Sequence, residues 1–146
     1  MRTQHRFILF ILLFSFSVSI TTFSYSAQEP THREKWQQTV NRAVTYLKKH
    51  QESEGGWSTQ RSPGITGVVV TGLLSCGVSS NDPSVSRGLS YIEKLVNPKE
   101  GHIAGENPRI GLQNYVTSVN LMALTRANRD KKYEPTIGNA TAFLKK

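Results

Sequence analysis

Arg42-Ala43-Val44-Thr45-Tyr46-Leu47-Lys48-Lys49-His50-Gln51-Glu52-Ser53-Glu54-Gly55-Gly56-Trp57 decides the fold, because most of it recurs. A basic residue, a small residue, two spacers, an aromatic and an aliphatic come first; a glutamine and Gly-x-Trp follow. The front half returns at Val85-x-Arg87-Gly88-x-x-Tyr91-Ile92 and again at Ile137-x-Asn139-Ala140-x-x-Phe143-Leu144. A period of 45 to 52 residues calls for an array of helical units that stack to share a core. The third copy stands two residues before Lys146, so the last unit is expected to be cut off in mid-helix. Phe143 and Leu144 are then expected to lack a partner helix, with low stability and a tendency to associate.

Outward from the motif, helix signals alternate with stops. Thr31-His32-Arg33-Glu34 has capping-box spacing, and Trp36, Val40, Ala43, Val44 and Leu47 follow on one face. Ile65, Val68, Gly72, Leu73 and Cys76 form the stripe of a second helix that Gly77 terminates. Asp82-Pro83 is a cap with proline in the first turn, and Val85, Gly88, Leu89, Ile92 and Leu95 make the third stripe. Asn97-Pro98 stops it, a long loop follows, and Val116, Val119, Ala123, Leu124 and Ala127 mark a fourth helix. Glu134-Pro135 opens a fifth.

The second and fourth helices match at a constant offset of 51, pairing Ile65 with Val116, Thr66 with Thr117, Val68 with Val119 and Leu73 with Leu124. Small residues pair as well, Gly72 with Ala123 and Cys76 with Ala127, where two helices could approach closely. Odd and even helices thus form two classes, and the unit is a helix pair. The expected architecture is all-α, built of about two and a half α/α helix-pair repeats over residues 28–146. Most of the length variation between units falls in residues 97–114, and loops are where function is usually placed.

Residues 1–27 stand outside that argument. Arg2, His5 and Arg6 form a positive n-region, residues 7–18 are apolar with scattered serines, and Ser24-Tyr25-Ser26-Ala27 offers small residues for cleavage. That layout predicts a signal peptide, and a secreted or periplasmic chain, or one held by an N-terminal anchor if cleavage fails. No other segment is expected to span a membrane. Without Arg2 and Arg6, 16 of the 18 Lys and Arg remain against all 10 acids, a balance of about +6. The charges are spread out except in residues 126–132, where cations complement a helix C-terminus, so no nucleic-acid partner is expected. One cysteine, Cys76, excludes an internal disulfide and a thiolate metal cluster; on an apolar stripe it is expected to be a buried structural thiol.

The motif Arg42-Ala43-x-x-Tyr46-Leu47-x-x-x-Gln51-x-x-x-Gly55-Gly56-Trp57 resembles the glutamine–tryptophan motif of the prenyltransferase and squalene-cyclase repeat superfamily, whose members build an α/α toroid. Tyr115-Val116-Thr117-Ser118 with Met122-Ala123-Leu124 is similar to secreted bacterial repeat proteins of that superfamily. The resemblance implies an incomplete toroid. It also implies a structural role for Arg42, Tyr46, Gln51, Gly55 and Trp57, the glutamine and indole tying the end of one helix to the start of the next. The second copy departs from the motif: Val96 stands near the glutamine position, and Gly101-His102-Ile103 replaces Gly-x-Trp.

The superfamily's chemistries require groups this chain does not have. Polyene cyclisation uses an Asp-x-Asp-Asp acid, but Asp82 and Asp130 are the only aspartates. Protein prenyltransfer uses zinc held by Asp, Cys and His, and Asp82-Pro83-Ser84 lacks the cysteine; no metal or cofactor is expected. Seven aromatic residues follow position 27, and Tyr46, Tyr91 and Phe143 are expected to sit at the repeated core position, leaving few to line a cationic pocket. The remaining candidate binding residues are His102, Glu106 and Arg109, in the long loop with Glu100. A loop histidine flanked by carboxylates serves as a general base or ligand, although a solvated polar loop explains the same residues. Two functions follow: a non-catalytic repeat module for interaction or scaffolding, partnered by another protein or by the rest of a larger toroid; or a fragment of a terpenoid-cyclase-like isomerase or a polysaccharide lyase.

Overall fold

A computed structural model describes residues 29–106 and 112–146. The signal-peptide reading and Arg109 lie outside the described residues. The described chain is all-helical: α1 (His32–Lys49), α2 (Gly64–Ser75), α3 (Pro83–Glu93), α4 (Gln113–Ala127) and α5 (Glu134–Leu144). None of these helices is long and apolar enough to cross a membrane.

The helix starts follow their local chemistry. At α1 the Thr31 hydroxyl accepts from the Glu34 N–H, while the Glu34 carboxylate accepts from the Thr31 N–H at 2.6 Å, the two halves of a capping box. At α3 the Asp82 carboxylate caps the Ser84 N–H at 3.0 Å, and Pro83 takes the first turn, where its missing N–H costs nothing. Asp82 also receives Lys48 Nζ at 2.6 Å, tying the end of α1 to the start of α3.

Packing centres on α2 and α4, which lie directly against each other, with α3 against α2 and α5 against α4. Val70 and Leu73 of α2, Val85, Leu89 and Ile92 of α3, and Ala123, Leu124 and Ala127 of α4 belong to one apolar cluster. Backbones approach most closely at Gly64 and Gly67. A Cβ on Gly67 would stand 2.4 Å from Asn120 Oδ1 and 2.7 Å from the Val119 carbonyl oxygen, so only glycine fits.

Several sequence expectations need correcting. The close approach does not fall at Gly72, where an added Cβ would meet nothing within 4 Å. Val68 is 52% exposed and Cys76 is exposed at the C-cap of α2, so neither belongs to the buried stripe. The face of α2 that packs is turned instead toward Thr66, Gly67, Val70 and Leu73. Period alone could not choose between these faces, because α2 is apolar nearly all round. Likewise α1 buries none of its residues, and Trp36 is 65% exposed; only Val40, Val44 and Leu47 of its stripe are half-buried. An edge helix has neighbours on one side only, so an amphipathic pattern is met in part.

Replacing Gly67 with alanine is expected to cost about 1–3 kcal/mol through overpacking. Gly72→Ala should gain about 0.5–1 kcal/mol, as a glycine in an open helix interior. Urea unfolding midpoints of the two variants check both signs. The Asp82 carboxyl is held below its ordinary value of 3.8, first by the hydrogen bond from Lys48, against the opposing effect of burial and with help from the Ser84 N–H. Its contribution is therefore present above 3.8 and lost as pH falls through the lower folded value. Asp82→Asn should flatten the acid limb of a stability-against-pH curve and leave the alkaline limb unchanged.

Candidate functional site

The motif residues meet where the loop after α1 turns into α2. The turn depends on Gly55, at φ +97°, whose absent Cβ would lie 2.6 Å from the Arg87 carbonyl oxygen of α3. Beyond it Trp57 is 4% exposed, its N–H donating to the Thr66 hydroxyl at 3.1 Å and its indole Nε1 to the Leu47 carbonyl at 2.7 Å. The ring lies over Gly88, where a Cβ would come within 3.0 Å of it. Gln51 completes the junction: its amide nitrogen donates to the carbonyls of Gly55 (2.7 Å) and Ser84 (2.8 Å), and its oxygen accepts from the Arg87 guanidinium. The Gln51 side chain thus joins the loop to α3, and the indole ties the loop to the last turn of α1 through the Leu47 carbonyl, which also accepts the His50 N–H. Arg42 and Tyr46 stand apart from this junction. Arg42 is exposed on α1, and Tyr46 is 61% exposed and stacked on His50 at 4.0 Å, not in the core position expected of it.

The loop after α3 repeats the junction with different side chains. Gly101, at φ +88°, lies against α5, its absent Cβ 2.9 Å from the Asn139 carbonyl oxygen. Ile103, fully buried, takes the place of Trp57, and its N–H donates to the Thr117 hydroxyl at 3.1 Å. Asn97 N–H donates to the His102 carbonyl at 2.8 Å, as Glu52 N–H does to the Gly56 carbonyl at 2.9 Å. Gly101 N–H bonds the Asn97 carbonyl as Gly55 N–H bonds that of Glu52. Val96 therefore stands where Gln51 stood and has no polar group to make its bridge; the second loop is tied instead to α4, where the Asn120 amide donates to the Ile103 carbonyl at 2.9 Å.

His102 occupies the position of Gly56 and is 2% exposed, so the solvated polar loop does not hold for this residue. Its Nδ1 lies 3.4 Å from the Ala104 N–H, and its Nε2 lies 3.2 Å from a Glu100 carboxylate oxygen. That pattern fits the neutral tautomer, with the proton on Nε2. The ring of Phe143 meets it edge-on at 5.6 Å, joining the loop to α5. Glu106 is exposed on the rim of a shallow cleft with Lys94, Asn97 and Lys99. The imidazole is thus paired with Glu100, and Glu106 stands outside the pair. No group of three metal-ligating side chains occurs among the described residues.

Thr66 and Thr117 are fully buried, and Asn120 likewise. The identity of the two threonines at the 51-residue offset was visible in the sequence, and their role as acceptors for a loop N–H was not. Asn120 carried no signal beyond being a polar residue inside an apolar stripe.

Removing either hydroxyl leaves a buried N–H unpaired, which costs about 1–3 kcal/mol. Thr66→Val and Thr117→Val are therefore expected to destabilise by similar amounts in that range, as measured by denaturant unfolding. The chain matches no protein-family model, no curated protein and no solved structure.

Proposed function

We propose that this chain is an exported, non-catalytic α/α repeat module that acts by binding other protein surfaces. In this reading its helix pairs belong to an incomplete toroid of the prenyltransferase and squalene-cyclase type. The observation that carries the proposal is the state of His102. The imidazole with a carboxylate at hand is 2% exposed, beneath Phe143, with both ring nitrogens engaged inside its own loop. A general base must reach a substrate proton, and this one holds a helix junction instead. The two junctions support the repeat reading, since the same donor and acceptor roles recur at Thr66 and Thr117.

Exposed apolar side chains support the binding half of the proposal. Val68, Tyr115 and Met122 are each more than half exposed on α2 and α4, the two helices that otherwise form the centre of the core. Exposed apolar surface on a helix pair is characteristic of contact surfaces. Incubation of the purified chain with squalene-type polyenes and with acidic polysaccharides should give no turnover. Turnover of either substrate that disappears in His102→Ala would overturn the non-catalytic reading.

A further inference from the structure

The contact between α2 and α4 joins two unlike faces, and each face has a second copy that no other described helix packs against. On α2 the contact is centred on Gly64 and Gly67, whose Cβ positions meet Val116, Val119 and Asn120 of α4. Thr71 continues that face one turn further along. The 51-residue offset carries Gly64, Gly67 and Thr71 onto Tyr115, Ser118 and Met122 of α4. There Tyr115 and Met122 are each 58% exposed.

In the reverse direction, the α4 residues Val119, Ala123 and Ala127 map onto Val68, Gly72 and Cys76 of α2. Val119 is half-buried and the two alanines are buried, whereas Val68 is 52% exposed, Cys76 is exposed, and a Cβ on Gly72 would meet open space. Among the described residues, one mated pair of faces therefore sits inside the molecule, with one unmated copy of each on its two edges. Glycine and threonine become Tyr115 and Met122 on one edge, and at the centre of the other Ala123 becomes Gly72, whose open space leaves room for a larger side chain. The one polar member, Asn120, maps onto the aliphatic Val69.

We propose that copies of this chain associate head to tail, the Tyr115 and Met122 edge of one packing on the Val68 and Gly72 edge of the next. The contact continues the internal α2–α4 interface from one molecule to another. It rests on the reading of the chain as an interaction module and names its partner as a second copy. Such a contact is heterologous, so it grows into a chain or closes into a ring instead of stopping at a symmetric dimer.

Sedimentation velocity of the full chain over a range of concentrations tests this, with Met122→Glu and Val68→Glu each placing a charge on one exposed edge. Tyr115→Glu serves as a second variant of the α4 edge, and circular dichroism verifies that the helices persist. The unaltered chain should grow in mass with concentration beyond a dimer. Each variant alone should stay monomeric, because every contact needs both edges. Mixed together, Met122→Glu and Val68→Glu should form a one-to-one heterodimer, since each retains the edge the other has lost. A monomeric unaltered chain at all concentrations would overturn the proposal. So would self-association of Val68→Glu alone, the mark of a symmetric contact, or assembly by all variants as by the unaltered chain. Substrate turnover is measured separately, so enzymatic activity would sink the module reading without bearing on the assembly.

Discussion

A buried threonine hydroxyl that accepts a hydrogen bond from a loop N–H is the interaction on which the rest of the structure depends. Each long loop brings a peptide group into the apolar interior, at Trp57 and at Ile103, where water cannot serve it. Thr66 and Thr117 provide the acceptor from the first two turns of the following helix, so the loop is anchored to the helix it leads into. Gly55 and Gly101 turn the chain against the backbones of α3 and α5, and the anchored residues, Trp57 and Ile103, are buried in the core.

Two different sets of side chains satisfy the same constraint. The first junction uses an indole and a glutamine, whose amide serves two carbonyls and a guanidinium. The second uses an isoleucine, an asparagine on α4 and a histidine folded under a phenylalanine. The loss of Gln and Trp from the second copy therefore does not mean that the junction is lost. The second loop is held to the next helix by Asn120, a fully buried residue of α4. His102 gains its buried position because it stands where the first junction has only Gly56.

The five helices were legible in the sequence, and so were the starts of α1, α3 and α5. Thr31 with Glu34 and Asp82 with Pro83 act through backbone groups two or three residues away, so their spacing suffices to place them. The third stripe, Val85, Gly88, Leu89 and Ile92, was legible because one face of α3 is apolar and the other polar. On α2 that contrast is missing, and the position of its neighbours decided that Val68 and Cys76 face outward while Thr66 and Gly67 face inward. Tyr46, Tyr91 and Phe143 share one sequence position, yet Tyr46 is 61% exposed and the other two are half-buried, because α1 lies at an edge. Of the candidate loop residues, the sequence placed His102 beside several carboxylates without saying which one it would meet.

By itself the sequence determined the helical class, where α1, α3 and α5 begin, and which residues recur at matching positions. Those properties arise from interactions within a turn or two of the chain and from identity at fixed spacing. Only the tertiary structure decided which face of α2 is covered, that His102 is sealed with Glu100 and Phe143, and that Asn120 ties the second loop to α4. Each of these depends on groups many residues apart competing for the same buried space. Burial is a property of the neighbours a residue acquires, and no local pattern specifies them.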